Sequence, residues 1–240
     1  MAKQTARSET PIGARHPEAG PFAPVAPERW ASASFTLGSR YRPEATTFAV
    51  YAEHAERVLL EIYDACTGEA AWHDYWMARG PDGIWRAELA GVPVGTLYAF
   101  RCWGPNFAWD PAWRRGGSEA GFVADVDAAG NRYNPNKVLF DPYARELSHD
   151  PVVPALLAAG HDSAIFASGP WPYAPPSGEA HPRRWFDTGP HAPKAVVIHD
   201  TSGFGKKPRL PQADAIIYEA HVRGLTRHPS SARLADLLAG

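Results

Sequence analysis

Cysteine and methionine are scarce, with two of each in 240 residues. Cys66 and Cys102 cannot form the disulfide framework of a small secreted domain. They read as free thiols in a reducing compartment, which makes the expected location cytoplasmic. Excess charge of either sign is also missing. Twenty-four Lys and Arg stand against 26 Asp and Glu, for a net charge of -2. Such a chain has no basic footprint for nucleic acid or for an anionic membrane. No apolar run approaches the ~20 residues of a membrane span. Lys3 and Arg7 are not followed by the apolar core of a secretory signal. The expected partners therefore include neither nucleic acid nor membrane.

What is abundant is aromatic and proline. Aromatics make up 12% of the chain, with nine Trp, and there are 24 Pro. Residues 1–28 are polar, rich in Pro and Gly, and without periodicity, so a disordered tail is expected. From Trp30 the pattern changes to short strands with turns between them. Candidates are Phe35 to Arg40, Thr46 to Tyr51, Arg57 to Asp64, Ala71 to Met77, Ile84 to Leu89 and Leu97 to Trp103. Alternation places Val58, Leu60 and Ile62 on one face, as it does Trp85, Ala87 and Leu89, and Tyr98, Phe100 and Cys102. Pro81–Asp82–Gly83 is a hairpin signal, because Asp-Gly supplies the positive φ a tight turn needs. Half a dozen strands at regular spacing, without helical periods between them, predict an antiparallel, immunoglobulin-like β-sandwich over residues 29–146.

Past the last strand the chain turns irregular. Asp125 to Asn131 has acids at the first and third positions of a calcium loop and Gly130 at the sixth. The fifth position is Ala129 and the twelfth Asn136, so an acidic turn is the better reading. Residues 147–210 form an irregular, Pro-rich connector. Its histidines His149, His161, His181, His191 and His199 match no zinc spacing and are expected to be solvated or packing groups. From Ala213 to Gly224 an apolar run carries Glu219, His221 and Arg223 on one side. It reads as a strand covered on both faces in a parallel sheet.

Three stretches carry a resemblance. Tyr98–Ala99–Phe100–Arg101–Cys102–Trp103–Gly104–Pro105 resembles the last strand of a starch-binding-type sandwich. Arg132–Tyr133–Asn134–Pro135–Asn136–Lys137, with Asp141–Pro142–Tyr143–Ala144, resembles the exit from it. Ile217 to Thr226 resembles the first strand of a (β/α)₈ barrel. Together, in this order, they resemble the amino-terminal part of bacterial isoamylases and glycogen debranching enzymes of glycoside hydrolase family 13. The insertion Phe107 to Ser118, followed by Ala120–Gly121–Phe122, is closer to the isoamylases. The resemblance implies hydrolysis, with retention, of α-1,6 branch points in glycogen or amylopectin by two carboxylates on later barrel strands. A barrel takes about 250 residues, and residues 211–240 supply only its start. The expected chain is thus mainly β: sandwich, connector and truncated barrel start. It carries no catalytic residue, needs no cofactor and is inactive alone. A free-standing glucan-binding module and a sequencing or assembly truncation are the alternatives, and the tail from Ala232 to Gly240 fits either a short helix or the out-of-frame end of a truncated gene.

Trp76, Trp103, Trp109 and Trp113 are the candidates for stacking an α-glucan, since a flat exposed ring meets the C–H face of a sugar at low entropy cost. Trp85 alternates inward and is assigned to the core. The resemblance also puts Asp150 at a position that contributes to a calcium site in isoamylases, with the other ligands on barrel loops. For Glu219, His221 and Arg223, pairing with one another or with neighbouring strands is expected rather than catalysis.

Overall fold

The computed structural model describes residues 21–176, 178–199, 201, 209–217, 219, 221 and 227–231. The chain divides into two units, Met1–Asp200 and Thr201–Gly240, taken separately here.

In the first unit the strands are β1 (Ala23–Pro24), β2 (Gly38–Arg40), β3 (Thr46–Tyr51), β4 (Arg57–Tyr63), β5 (His73–Trp76), β6 (Ala78–Arg79), β7 (Ile84–Ala90), β8 (Leu97–Trp103), β9 (Pro172–Tyr173), β10 (His181–Pro182) and β11 (Ala195–Val196). A short helix, α1, spans Pro154–Ala158. One sheet has the order β1-β7-β3-β2, with β6 also on β7, and the other has β11-β8-β4-β5. Each pairing is antiparallel. The Asp-Gly signal is met by a turn in which Gly83 takes φ 73° and the Asp82 carboxylate accepts from the Ile84 N–H at 3.2 Å.

The inner faces of the two sheets meet in one core. Phe48 and Val50 of β3 and Trp85, Ala87 and Leu89 of β7 pack there with Val58, Leu60 and Ile62 of β4 and Tyr98, Phe100 and Cys102 of β8. The β4, β7 and β8 sets are those that alternation placed on one face. The buried thiol of Cys102 is pushed up to about 12 by its burial. Both cysteines are free.

Two boundaries differ from expectation. Residues 21–28 of the expected tail are ordered, while residues 1–20 lie outside the described residues. β1 pairs with β7, and the Phe22 N–H and C=O both bond the Tyr75 hydroxyl, at 3.0 and 2.9 Å. A buried phenol needs such partners, and Phe22 is buried in the core beside Tyr75. The expected connector, in turn, supplies β11, which pairs with β8 at Ala195↔Tyr98.

The outer face of the second sheet is where the sequence reading stops short. Alternation implies an exposed face at Leu59, Glu61, Tyr63, Ala99, Arg101 and Trp103, yet all six are buried. Two segments cover them: the loop from Gly104 to about Phe122 and the stretch from Arg184 to Lys194. Charges brought under that cover must be paired. Arg101 Nε donates to Glu61 at 2.8 Å, its Nη2 to Asp187 at 2.8 Å, and its Nη1 to the Pro135 carbonyl at 2.7 Å. Arg115, from the covering loop, donates to Glu61 and to Asp74. The Tyr63 hydroxyl adds a bond of 2.6 Å to Glu61. Burial alone pushes the Glu61 carboxyl up, but Arg101, Arg115 and Tyr63 outweigh it and hold it at about 2. Space there is tight: a Cβ on Gly189 would come within 2.6 Å of Arg101 Nη2.

The connector has a small core of its own, with Leu156 of α1, Ile165 and Tyr173 packed against Phe186. Two of its histidines close it. His161 Nδ1 lies 2.6 Å from the Tyr173 hydroxyl, and the His161 and His191 rings are 4.7 Å apart. Burial and the neighbouring His161 push His191 down to about 4.

In the second unit, Gln212–Asp214 and Pro229–Ser231 are 3-10 turns. The expected covered strand is not formed at Ala213–Ile217. Ile216 and Ile217 are 97% and 85% exposed, and among the described residues no strand pairs with them. An apolar run becomes a strand only where a neighbour supplies hydrogen bonds and cover. Glu219 and His221 are exposed. Tyr218, Ala220, residues 222–226 (Arg223 among them) and the tail from Ala232 to Gly240 lie outside the described residues. Among the described residues no helix is long and apolar enough to cross a membrane.

Two outcomes are expected. Glu61→Gln leaves Arg101 and Arg115 short of an anion and lowers the unfolding free energy by ~3–5 kcal/mol at neutral pH, read in urea. Because the Glu61 carboxyl is depressed to about 2 when folded, its contribution is complete above the ordinary carboxylate range. It fades as pH falls toward 2, so the deficit of the variant should shrink there. His191 is depressed as a base, so the unfolded chain takes up its proton first. Stability of the connector core should therefore fall as pH drops from about 6.5 toward about 4. The opening equilibrium read by hydrogen exchange at 156–173, corrected for the slower intrinsic amide exchange at lower pH, should rise over that range in the wild type and change less in His191→Gln.

Candidate functional site

At one end of the second sheet the last residues of β5 and β8 are both tryptophan, Trp76 and Trp103. The loop after β8 adds Trp109 and Trp113. The structure brings all four expected residues together. Trp103 is the hub, with ring centroids 5.5 Å from Trp76, 5.0 Å from Trp109 and 5.2 Å from Trp113. The rings meet edge to face or tilted, the arrangement their quadrupoles favour. Loop closure sets the geometry: Gly104 and Phe107 exchange backbone bonds of 3.1 and 2.9 Å, and the Trp113 N–H donates to the Asp110 carbonyl at 2.9 Å.

Burial divides the four. Trp103 and Trp113 are 0% exposed, so neither offers a face to a sugar, and the expectation is corrected for both. The loop that adds aromatic rings also seals the earlier one. Their two indole N–H groups are buried without a hydrogen-bond partner among the described residues. Trp76 and Trp109 are half-buried and remain the candidates. Arg57, exposed at the start of β4, holds its guanidinium 5.2 Å from the Trp76 ring centroid and 5.3 Å from that of Trp109. Beside it the Glu56 carboxylate accepts from the Trp109 N–H at 3.3 Å. The open part of the cluster is thus two aromatic faces shared by one cation, with a carboxylate at the rim. A ligand stacking on those faces displaces Arg57 or lies beside it. Trp171, 70% exposed, was not singled out from sequence. The available signal was its place between Pro170 and Pro172, which keeps it out of a regular strand.

The calcium reading has no cluster behind it. Asp150 is exposed, and no group of three or more His, Cys, Asp or Glu able to hold a metal occurs among the described residues. In the acidic loop the Asp127 carboxylate is spent on the N–H groups of Ala129 and Asn131, both at 2.9 Å. The Asp125 carboxylate pairs with Arg184. The stretch is the acidic turn its sequence suggested.

Two antiparallel sheets around one core, with an aromatic cluster at one end, define a β-sandwich module. More narrowly, residues 36–144 match carbohydrate-binding module 48 (isoamylase N-terminal domain). The chain is similar to the isoamylase of Pseudomonas amyloderamosa, at 38% identity over 87% of the chain and 26% of the relative. It is similar to the glycogen debranching enzyme of Salmonella typhi at 33% identity, over 80% of the chain and 24% of the relative. The chain therefore spans about a quarter of the length of these relatives. Among solved structures, a pullulanase from Paenibacillus barengoltzii complexed with maltohexaose and alpha-cyclodextrin shares 24% identity. It covers 42% of this chain and 16% of its own with a TM-score of 0.29, which is too small an overlap to bear on the fold.

The division of the cluster predicts unequal costs. Trp103→Ala opens a cavity at the hub and should lower stability by ~3–5 kcal/mol. Trp109→Ala, half-exposed, should cost less than half of that. Urea unfolding of the two variants measures both.

Proposed function

We propose that the chain is the amino-terminal part of an isoamylase-type debranching enzyme acting on α-1,6 branch points of glycogen or amylopectin. The observation that carries this reading is the 38% identity to an isoamylase over 87% of the chain, centred on the module at residues 36–144. In this reading the sandwich and connector form one folded support for a catalytic barrel. The retaining pair of carboxylates belongs to that barrel and not to these 240 residues. Any calcium is likewise a property of the whole enzyme, with Asp150 as one ligand among several. Trp76 and Trp109, with Arg57 and Glu56 beside them, form the glucan-facing part of the module, and the reaction takes place in the cytoplasm.

A second reading, a free-standing glucan-binding module, is favoured by one observation. The sandwich core is built from described residues of the first unit. One experiment separates the two. The purified chain is incubated with glycogen and assayed for new reducing ends, then run in a native gel containing glycogen. The first reading expects no reducing ends from the chain alone and activity once a barrel follows Ser231 in frame. Retardation in the gel, weakened in Trp76→Ala/Trp109→Ala, shows that the module itself holds glucan. Debranching by the 240 residues alone would contradict both readings.

A further inference from the structure

A groove of about 460 Å³ opens between the sandwich and the connector. That volume falls within the roughly 300–1,000 Å³ usual for small-molecule sites. From the sandwich side it is lined by Asn131, Arg132, Tyr133 and Leu139, and from the connector by Phe166 and Ser168. The last two lie beyond residues 36–144, so the module alone does not complete the groove.

Hydrogen-bond accounting shows what is left for a ligand. Asn134 spends its amide N–H groups on the Ser168 hydroxyl at 2.8 Å and the Arg184 carbonyl at 3.0 Å, and its Oδ1 on the Asn136 N–H at 2.9 Å. It fixes the connector wall and leaves the Ser168 O–H free to donate. Asn131 spends its Nδ2 on Asp127 at 2.8 Å, leaving its Oδ1 to accept. The Tyr133 ring is fixed against Gly104, where a Cβ would come within 2.1 Å of it. Its hydroxyl makes no side-chain bond among the described residues. Two hydroxyls, an amide oxygen and the exposed Arg132 guanidinium therefore surround the apolar surfaces of Tyr133, Leu139 and Phe166.

This pattern excludes the other obvious ligand class. Lys137 also lines the groove, but its Nζ donates to the Ile165 and Phe186 carbonyls at 2.7 and 2.9 Å. Its charge is committed to holding the connector. Arg132 is then one cation in water, which contributes little to binding an anion. No carboxylate lines the groove to attract a cation. Apolar faces ringed by neutral donors and acceptors match a pyranose, which has C–H faces and a rim of hydroxyls. We infer that this groove binds a short linear α-glucan and that sandwich and connector build the site jointly. The inference rests on the glucan reading above and places a second contact away from the tryptophan cluster.

The test is calorimetric titration of the full chain with maltotetraose. Tyr133→Phe/Ser168→Ala removes two hydroxyls and keeps both side chains' packing, so near-UV circular dichroism should be unchanged. Affinity should fall about tenfold, and Phe166→Ala should weaken binding to a similar degree. In the Trp76→Ala/Trp109→Ala background, which removes the tryptophan contact, maltotetraose should still bind at the groove, and the groove substitutions should weaken that remaining binding by the same factor. Undiminished binding by the groove variants, with loss in the tryptophan variant, overturns the inference and leaves the glucan reading standing. No binding of maltotetraose alongside retained retardation in glycogen gels does the same. No binding in either assay removes the module's glucan contact altogether. Competition by inorganic phosphate overturns the inference in favour of an anion site.

Discussion

The fold turns on a buried ion pair. Glu61 of β4 and Arg101 of β8 are diagonal neighbours on the outer side of the second sheet, with side chains 0% exposed. Neither can stay charged there without further partners. Those partners come from sequence far away: Arg115 from the loop after β8, and Asp187 from the connector. Four charged groups thus bring two segments, the loop and the connector, onto one sheet face. The arrangement explains why the loop and the connector, irregular by sequence, are fixed in place. Lys194 repeats the device nearby. Its ammonium, pushed down by burial to about 8, is held by the Gly189 carbonyl at 2.7 Å and by those of Ala192 and Cys66. Lys137 does the same against Ile165 and Phe186.

This cover is what makes the tryptophan cluster. Trp103 ends the strand that carries Arg101, and Trp113 stands two residues before Arg115. Where Arg115 reaches Glu61, Trp113 is drawn over Trp103, and the Arg101 guanidinium lies 5.4 Å from the Trp113 ring centroid. The ion network and the aromatic cluster are therefore one construction. Its inner part is closed, and only Trp76 and Trp109 reach solvent. The match to carbohydrate-binding module 48 spans β2 to β8 of the sandwich. The joint packing with residues 184–196 belongs to the longer stretch shared with isoamylases.

The sandwich was legible because half of its logic is local. β3 and β8 fall at their expected bounds, and β4 and β7 within one residue of theirs, since each carries a run of alternating apolar residues and β7 follows an Asp-Gly turn. The other half was not legible. Alternation tells which side faces the first core but is silent on whether another segment covers the second side. Glu61 and Arg101 look like surface charges in sequence and are among the most buried groups in the chain. For the same reason Trp103 and Trp113 read as exposed platforms. Phe22 was missed because two residues of β1, one of them proline, give no period to detect. Ala213–Ile217 shows the opposite case: an apolar pattern that, among the described residues, has no neighbouring strand.

The central claim is that sandwich and connector are one cooperative unit joined through Arg101. A double-mutant cycle between Arg101→Met and Asp187→Leu, measured by urea unfolding, tests it most directly. The account predicts a coupling energy of at least ~1 kcal/mol, within the range found for residues in one network, and a single transition seen by probes in both segments. Additive single effects, or a separate earlier transition for the connector in the wild type, would contradict it.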